Sequence, residues 1–195
     1  MFGWLEGRQV RQFHRLIKDS EAQGYHRIVK YDIGGFDHMR LWEAQPLNAD
    51  EIGKLVLSMR PGAPVDYLGN PLSIPICSER FCNIITRRCG PSVQIFDAPI
   101  YSEDRTTFPG YYIVNPLRKI NCLNLKHCTT SATRLNKSGL NVIKFAFRPS
   151  AIPSDVHLFR VPEALSDVFI FDELASDMVG KRLTGLCLVR AKSVE

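Results

Sequence analysis

Apolar residues recur at two different periods in this chain, and the change of period marks its elements. Over residues 4–22, Val10, Phe13, Leu16 and Ile17 share a helical face, with Arg8, Arg11, Arg15 and Lys18 mostly elsewhere. That spacing predicts an amphipathic helix, closed by Gly24. Tyr25–Asp32 then alternates, as a strand does, Gly34-Gly35 reads as a turn, and Met39–Glu43 is the expected returning strand. Asn48 with Glu51 three residues on has the form of a capping box. It predicts a helix to about Met59 with Ile52, Leu55, Val56 and Met59 inward. Four prolines and two glycines between Arg60 and Pro75 predict a loop, with Val65–Leu68 extended.

The densest apolar block lies between Ile74 and Asn115. A short strand, Ile74–Cys77, meets a helix cap at Ser78. Phe81, Ile84 and Ile85 follow at helical spacing, and Gly90-Pro91 stops the helix. Strands are expected at Val93–Tyr101 and Tyr111–Asn115. Beyond a polar stretch from Pro116 to Lys137, strands are expected at Leu140–Phe147, Val156–Val161 (ended by Pro162) and Val168–Phe171. Asp172 should cap a helix reaching Met178 or Val179, Gly180 should loosen it, and Leu186–Val189 forms the last strand. Ile76–Phe96 and Ile170–Val189 therefore share one order: strand, short helix, glycine, strand. Two similar units packed in one domain are expected.

Composition changes this picture little. The chain has 195 residues, 45% hydrophobic and 23% charged, which is ordinary for one globular domain. No export-type apolar stretch and no run of membrane-spanning length occurs, so a reducing cytoplasm and free, core-packed thiols are expected for the six cysteines. The net charge of +5 is unevenly laid out. Arg105–Arg148 holds eight Lys or Arg and no acid, whereas Asp155–Asp177 holds six acids and Arg160 as the one Lys or Arg. The two segments either pair on the folded surface or form two faces, one of which meets a charged partner.

The search for chemistry finds no motif. Cys77, Cys82, Cys89, Cys122, Cys128 and Cys187 lack the two-residue spacing of a structural zinc site. His14, His26, His38, His127 and His157 are scattered, and no local signature joins one to a thiol. No nucleophile elbow, phosphate loop or dinucleotide fingerprint is present. No catalytic, cofactor-binding or metal-ligating residue is assigned, and no cofactor. Tyr111, Tyr112, Phe145 and Phe147 among Arg118, Lys119, Lys126 and Arg134 would suit a stacking platform for a single strand, although burial is the default for aromatics in strands.

From Ile74 onward the order of features resembles a bacterial immunity-protein family, the eleventh, of myxobacterial type and formerly a domain of unknown function. Ile76-Cys77-Ser78-Glu79-Arg80-Phe81 looks like its strand-to-helix step, and Gln94–Ile100 its following strand. Tyr111–Pro116 resembles its tyrosine–apolar–asparagine strand, Val156–Arg160 its apolar-phenylalanine-arginine strand, and Phe169–Gly185 its closing helix and glycine. Asn121 and Asn124 stand where aspartates are common, so no shared acidic role is expected there. Similarity covers about 120 residues, is weaker upstream to Tyr25, and leaves residues 1–24 unexplained.

The chain is read as a single α+β domain with a mixed, mainly antiparallel sheet and short helices over residues 25–195, with an N-terminal amphipathic helical extension over 1–24 that the resemblance does not explain. The resemblance implies a non-enzymatic, cytoplasmic antitoxin that binds a cognate contact-delivered bacterial toxin, encoded by a neighbouring gene, with nucleases as one partner class. A small nucleic-acid-binding protein and a Cys/His-dependent enzyme are the alternatives. The charge layout makes Asp155, Glu163, Asp167, Asp172 and Glu173, or else Arg118, Lys119 and Lys126, the expected partner-binding residues.

Overall fold

The computed structural model describes residues 11–19, 24–102, 105–132 and 140–194. In chain order the elements are β1 (Phe13–Lys18), β2 (Arg27–Asp32), a 3-10 turn (His38–Leu41), α1 (Ala49–Ile52), β3 (Val56–Arg60), β4 (Ile76–Ser78), α2 (Glu79–Cys89), β5 (Val93–Asp97), β6 (Ile100–Tyr101) and β7 (Tyr111–Pro116). There follow β8 (Thr129–Ala132), β9 (Leu140–Lys144), β10 (Ala146–Phe147), β11 (Leu158–Val161), β12 (Ala164–Phe171), α3 (Asp172–Gly180), β13 (Leu186–Arg190) and β14 (Lys192–Ser193).

Two sheets and their helices organise the molecule. The first has the order β4-β7-β5 and the second β11-β12-β1-β13. In the first, β4 and β5 both run antiparallel to β7 and therefore parallel to each other, and α2 links them. In the second, β12 and β13 both run antiparallel to β1, and α3 links them. Each unit is thus strand, helix, strand, split by one strand supplied from elsewhere in the chain. The two units expected from the order of elements share this topology. A third sheet, β2-β3-β6, pairs β3 antiparallel with β2 and parallel with β6.

Three apolar clusters fill the spaces between these layers. One gathers Leu57, Met59, Leu68, Ile76, Ile100 and Ile113. A second lies between the helices and the two split units and gathers Leu16, Phe81, Ile85, Val114, Ile170 and Leu174. The third is aromatic: Phe13, Phe147, Phe159 and Phe169 meet with ring centroids 5.0–5.9 Å apart. Edge-to-face and tilted contacts at this distance favour aromatic clustering beyond area burial alone.

Several local expectations are corrected. Over 13–18 the helix expected at 4–22 is a strand, and positions 4–10 and 20–22 lie outside the described residues. Phe13 and Leu16 are an odd number apart, so they sit on opposite faces of β1. Phe13 enters the aromatic cluster and Leu16 the helix-side cluster, because both faces of this inner strand are covered. The capping box is present, with Asn48 Oδ1 accepting from Glu51 N at 2.9 Å and Glu51 Oε2 accepting from Asn48 N at 3.1 Å. The helix nonetheless stops at Ile52, and β3 takes over with Leu57 and Met59 buried at period two. That strand, not Met39–Glu43, returns against β2. The expected single strand Val93–Tyr101 breaks at Ala98-Pro99 into β5 and β6, which join different sheets. The last helix begins after Phe171, which makes no side-chain cap bond, and Asp172 occupies its first turn.

Candidate partner-binding surface

Ser78 accepts from Phe81 N through its Oγ at 3.3 Å and so caps α2, as its position before an apolar helical run predicts. The same hydroxyl donates to Asp66 Oδ1 at 2.6 Å, and Asp66 Oδ2 accepts from Thr184 N at 3.0 Å and Thr184 Oγ1 at 3.2 Å. Asp66 is buried, so this node ties the start of α2 in the first unit to the loop before β13 in the second. Gly185 adjoins that node at φ 78°, and a Cβ there would stand 2.5 Å from Tyr67 O, so only glycine fits.

α2 and α3 are joined by ions as well as by apolar packing. Arg88 Nε donates to Asp177 Oδ2 at 2.6 Å, Arg87 lies 3.4 Å from the same oxygen, and Arg88 reaches Glu173 at 3.4 Å. The Arg88 hydrogen bond holds the Asp177 carboxyl below the usual carboxylate range. Deeper in the second unit, Arg15 Nε and Nη2 both donate to Asp167 Oδ1, at 2.9 and 2.6 Å, with the Arg15 guanidinium 5.3 Å from the Phe145 ring centroid. Burial still raises the Asp167 carboxyl pKa, against the pull of Arg15 and Arg160.

Arg160, singled out in the sequence as the one Lys or Arg in an acidic run and as the end of the apolar-phenylalanine-arginine strand, is the most deeply buried charge among the described residues, at 0% exposure. Its Nη1 donates to Leu165 O at 2.6 Å and Asp167 O at 3.3 Å, while Nε and Nη2 have no hydrogen-bond partner among the described residues. Burial lowers its pKa to about 10, opposed by the nearby Tyr67 and Asp167. The signal that could have found it is its place in an unbroken apolar strand, Leu158-Phe159-Arg160-Val161, where all four residues are buried.

The structure distributes the eight expected partner-binding residues as follows. Arg118 and Asp155, from the basic and acidic segments, stand together at 3.8 Å. Asp167 is engaged by Arg15, Asp172 by His14 at 2.9 Å, and Glu173 by Arg88. Glu163 sits in the β11–β12 turn, where its Oε2 has no partner among the described residues. Lys119 and Lys126 are exposed and make no ion pair with a described residue. The acids of the run therefore mostly pair within the fold, chiefly with bases outside Arg105–Arg148.

The six cysteines carry free thiols. Burial pushes Cys82, Cys89 and Cys122 up to about 12, and Cys77 well above its ordinary value. A thiol in that range holds its proton at neutral pH and is a poor nucleophile. Among the described residues no group of three His, Cys, Asp or Glu side chains could hold a metal ion. Of the aromatics that would form a stacking platform, Tyr111, Phe145 and Phe147 are buried.

The outer strands of the second sheet differ in cover. Beside β11 the chain Arg118–Ile120 runs alongside, with Arg160 N donating to Arg118 O at 2.8 Å and Ile120 N to Arg160 O at 2.9 Å. At the other edge, β13 pairs with β1 alone among the described residues. Asp19 N donates to Gly185 O and Ala191 N to Phe13 O, so Cys187 and Val189 face β1 with their backbone groups. Leu186, Leu188 and Arg190 consequently point theirs outward. Along this edge runs a groove of about 620 Å³, lined mainly by apolar side chains such as Met178, Val179, Leu183, Leu186 and Leu188, with Asp19 and Arg182 adding one charge of each sign. Val179, on α3, is 66% exposed at its margin.

The α+β scaffold thus engages most acids of its Asp155–Asp177 run in internal pairs and leaves one sheet edge open among the described residues. The chain matches the immunity protein family Imm11 over residues 4–193, and it belongs to that family. The match includes residues 4–24, which the similarity read from the sequence left unexplained. No curated protein matches the chain. Among the described residues no helix is long and apolar enough to cross a membrane.

Proposed function

We propose that this protein is the immunity partner of a bacterial toxin: it binds the toxic domain of a contact-delivered effector in the cytoplasm and neutralises it by covering its surface, without chemistry of its own. Membership of the immunity protein family across residues 4–193 is the observation that carries this reading. The geometry supports it. The buried thiols are held protonated, and the ionisable pairs Arg88–Asp177, Arg15–Asp167 and His14–Asp172 join separate elements, as structural pairs do. A partner surface of ordinary size needs only about 800 Å² from each side.

Charge favours one kind of partner. Of the eight residues expected to meet a partner, Asp155, Asp167, Asp172 and Glu173 each face a base of this chain, whereas Lys119 and Lys126 face no acid among the described residues. A toxin face that meets such cations is acidic, unlike the groove of a basic nuclease. Burial of Tyr111, Phe145 and Phe147 weakens the alternative reading of a single-strand nucleic-acid platform.

Co-expression tests the proposal. The toxin domain encoded by the neighbouring gene is induced in bacteria with and without this protein, and survival and co-purification are recorded. Rescue with a stable complex is expected. Death in both cultures, with no complex, would contradict the proposal.

A further inference from the structure

The edge of β13 has no counterpart elsewhere in the second sheet. Its five residues, Leu-Cys-Leu-Val-Arg, pair with β1 in unbroken register and include no proline and no lysine. Edge strands are usually blunted by such residues, by a bulge or by a covering segment, because a row of free amides and carbonyls recruits another strand. Here the outward backbone groups of Leu186, Leu188 and Arg190 bond to no other described residue, whereas the opposite edge is closed by Arg118–Ile120. β5, the corresponding outer strand of the first unit, also has an outward row, at Val93, Ile95 and Asp97. Its residues Val93–Phe96 are all half-buried, however, and Asp97 places a negative charge at its end.

Charge indicates what fits at β13. Lys181 and Arg182 are exposed at its start, and Arg190 and Lys192 at its end. None of the four forms an ion pair with an acid among the described residues. A second copy docking edge to edge would bring these cations against their own kind. An extended segment with acidic residues would meet them favourably. Alternate side chains of such a segment would fall on the α3 side, over the apolar groove and beside the exposed Val179, and main-chain bonds would supply the rest.

We infer that β13 is the docking edge for the toxin, which adds an extended, acidic segment to it as a fifth strand, with apolar side chains in the groove between β13 and α3. The inference rests on the immunity reading and names the surface through which that reading operates.

Hydrogen exchange and a matched pair of prolines test it, using the full chain and the purified toxin domain from the neighbouring gene. In the free protein the Leu186, Leu188 and Arg190 amides should exchange fast, and toxin should protect them. Leu188→Pro removes one outward donor and leaves the ladder to β1 intact. It should weaken the complex by about 30-fold or more, as loss of a dominant contact does. Ile95→Pro, the same change on β5, should leave affinity within about threefold by the additivity of distant sites. The exchange measurement on the unaltered chain stands whether or not the proline variants fold. Toxin binding with the three amides still exchanging fast, or with Leu188→Pro as tight as the parent, would overturn the docking edge and leave the immunity reading intact. Protection already present in the free protein would also overturn it, by showing the edge filled by residues 1–10 or, if lost on dilution, by a second copy. No binding by the unaltered chain would contradict the immunity reading itself.

Discussion

The two split units, β4-α2-β5 around β7 and β12-α3-β13 around β1, have one topology and different fillings. In the first, the inserted strand β7 is nearly all buried, and its buried polar group is a neutral amide, Asn115, which donates to Gln45 O at 2.9 Å and Gln94 Oε1 at 3.1 Å. The second instead has a guanidinium, Arg160, and a carboxylate, Asp167, in its interior. The first helix has a side-chain cap at Ser78; the second has none and relies on Asp172 in its first turn, paired with His14. One connectivity therefore tolerates either neutral or charged interiors. The outer strand of the first unit is half-buried and ends in the exposed Asp97, while that of the second lies beside an apolar groove. Identical topology does not assign identical roles: the first unit is built as core, the second as core on one side and contact surface on the other.

The sharpest way to break that comparison is to remove the interior polar group from each unit. Arg160→Ala leaves Leu165 O and Asp167 O without their donor and a cavity in the apolar strand, so a loss of about 3–5 kcal/mol is expected. Asn115→Ala removes two neutral hydrogen bonds and should lose about 1–3 kcal/mol. Urea unfolding of both variants measures the difference, and equal losses would mean the charged interior is no more demanding than the neutral one.

Capping gives a smaller contrast. Ser78→Ala should cost roughly 1–2 kcal/mol, since it removes the α2 cap and one of the bonds to buried Asp66. Asp172→Ala loses only a favourable charge near the helix start and its contact with His14, so about 0.3–1 kcal/mol is expected. Thermal melts at neutral pH and low salt would separate them.

Charge reversal probes the surface. Lys181→Glu combined with Lys192→Glu, at the two ends of β13, should slow association with the toxin by roughly tenfold at low salt, with the effect fading as salt screens it. Asp155→Lys with Glu173→Lys should not slow association, because the added positive charge favours an acidic partner. Stopped-flow traces at two ionic strengths decide the matter, and equal, negligible effects from both pairs would defeat the assignment.

The smallest effect concerns the link between the units. Arg88 depresses the folded pKa of Asp177, so the unfolded chain binds this proton more readily. The contribution is present above the ordinary carboxylate pKa, near 3.8, and is lost as pH falls through the lower folded value. Asp177→Asn should flatten the acid side of the stability curve there, and an unchanged slope would mean that Asp177 adds nothing to the joint between α2 and α3.

The elements that were legible in the sequence are those whose signals are local. Ser78, the Phe81, Ile84 and Ile85 spacing and Gly90 placed α2, and the repeated order of strand, helix, glycine and strand marked both units. β1 was not legible as a strand: with Phe13 and Leu16 buried on opposite faces, the period-two pattern of a half-buried strand never forms, and three-residue spacing imitates a helix. The short α1 misled for a similar reason, because Ile52, Leu55 and Met59 fit a helix as well as a helix followed by a strand. The inserted strands β7 and β1 could not be assigned to their units at all, since that pairing is made over distance in the chain. The partner surface was hidden by the same non-locality. Asp167 looked available within an acidic run, yet Arg15 reaches it from 152 residues away. The β13 edge shows only once the sheet order is known.

The most direct test of the account is a calorimetric titration of the purified neighbouring toxin domain with this protein. The account predicts a one-to-one complex with Kd of about 100 nM or tighter, the range of stable interfaces of ordinary size, and loss of toxic activity at the same equivalence point. No heat of binding, or binding that leaves the toxin active, would contradict it.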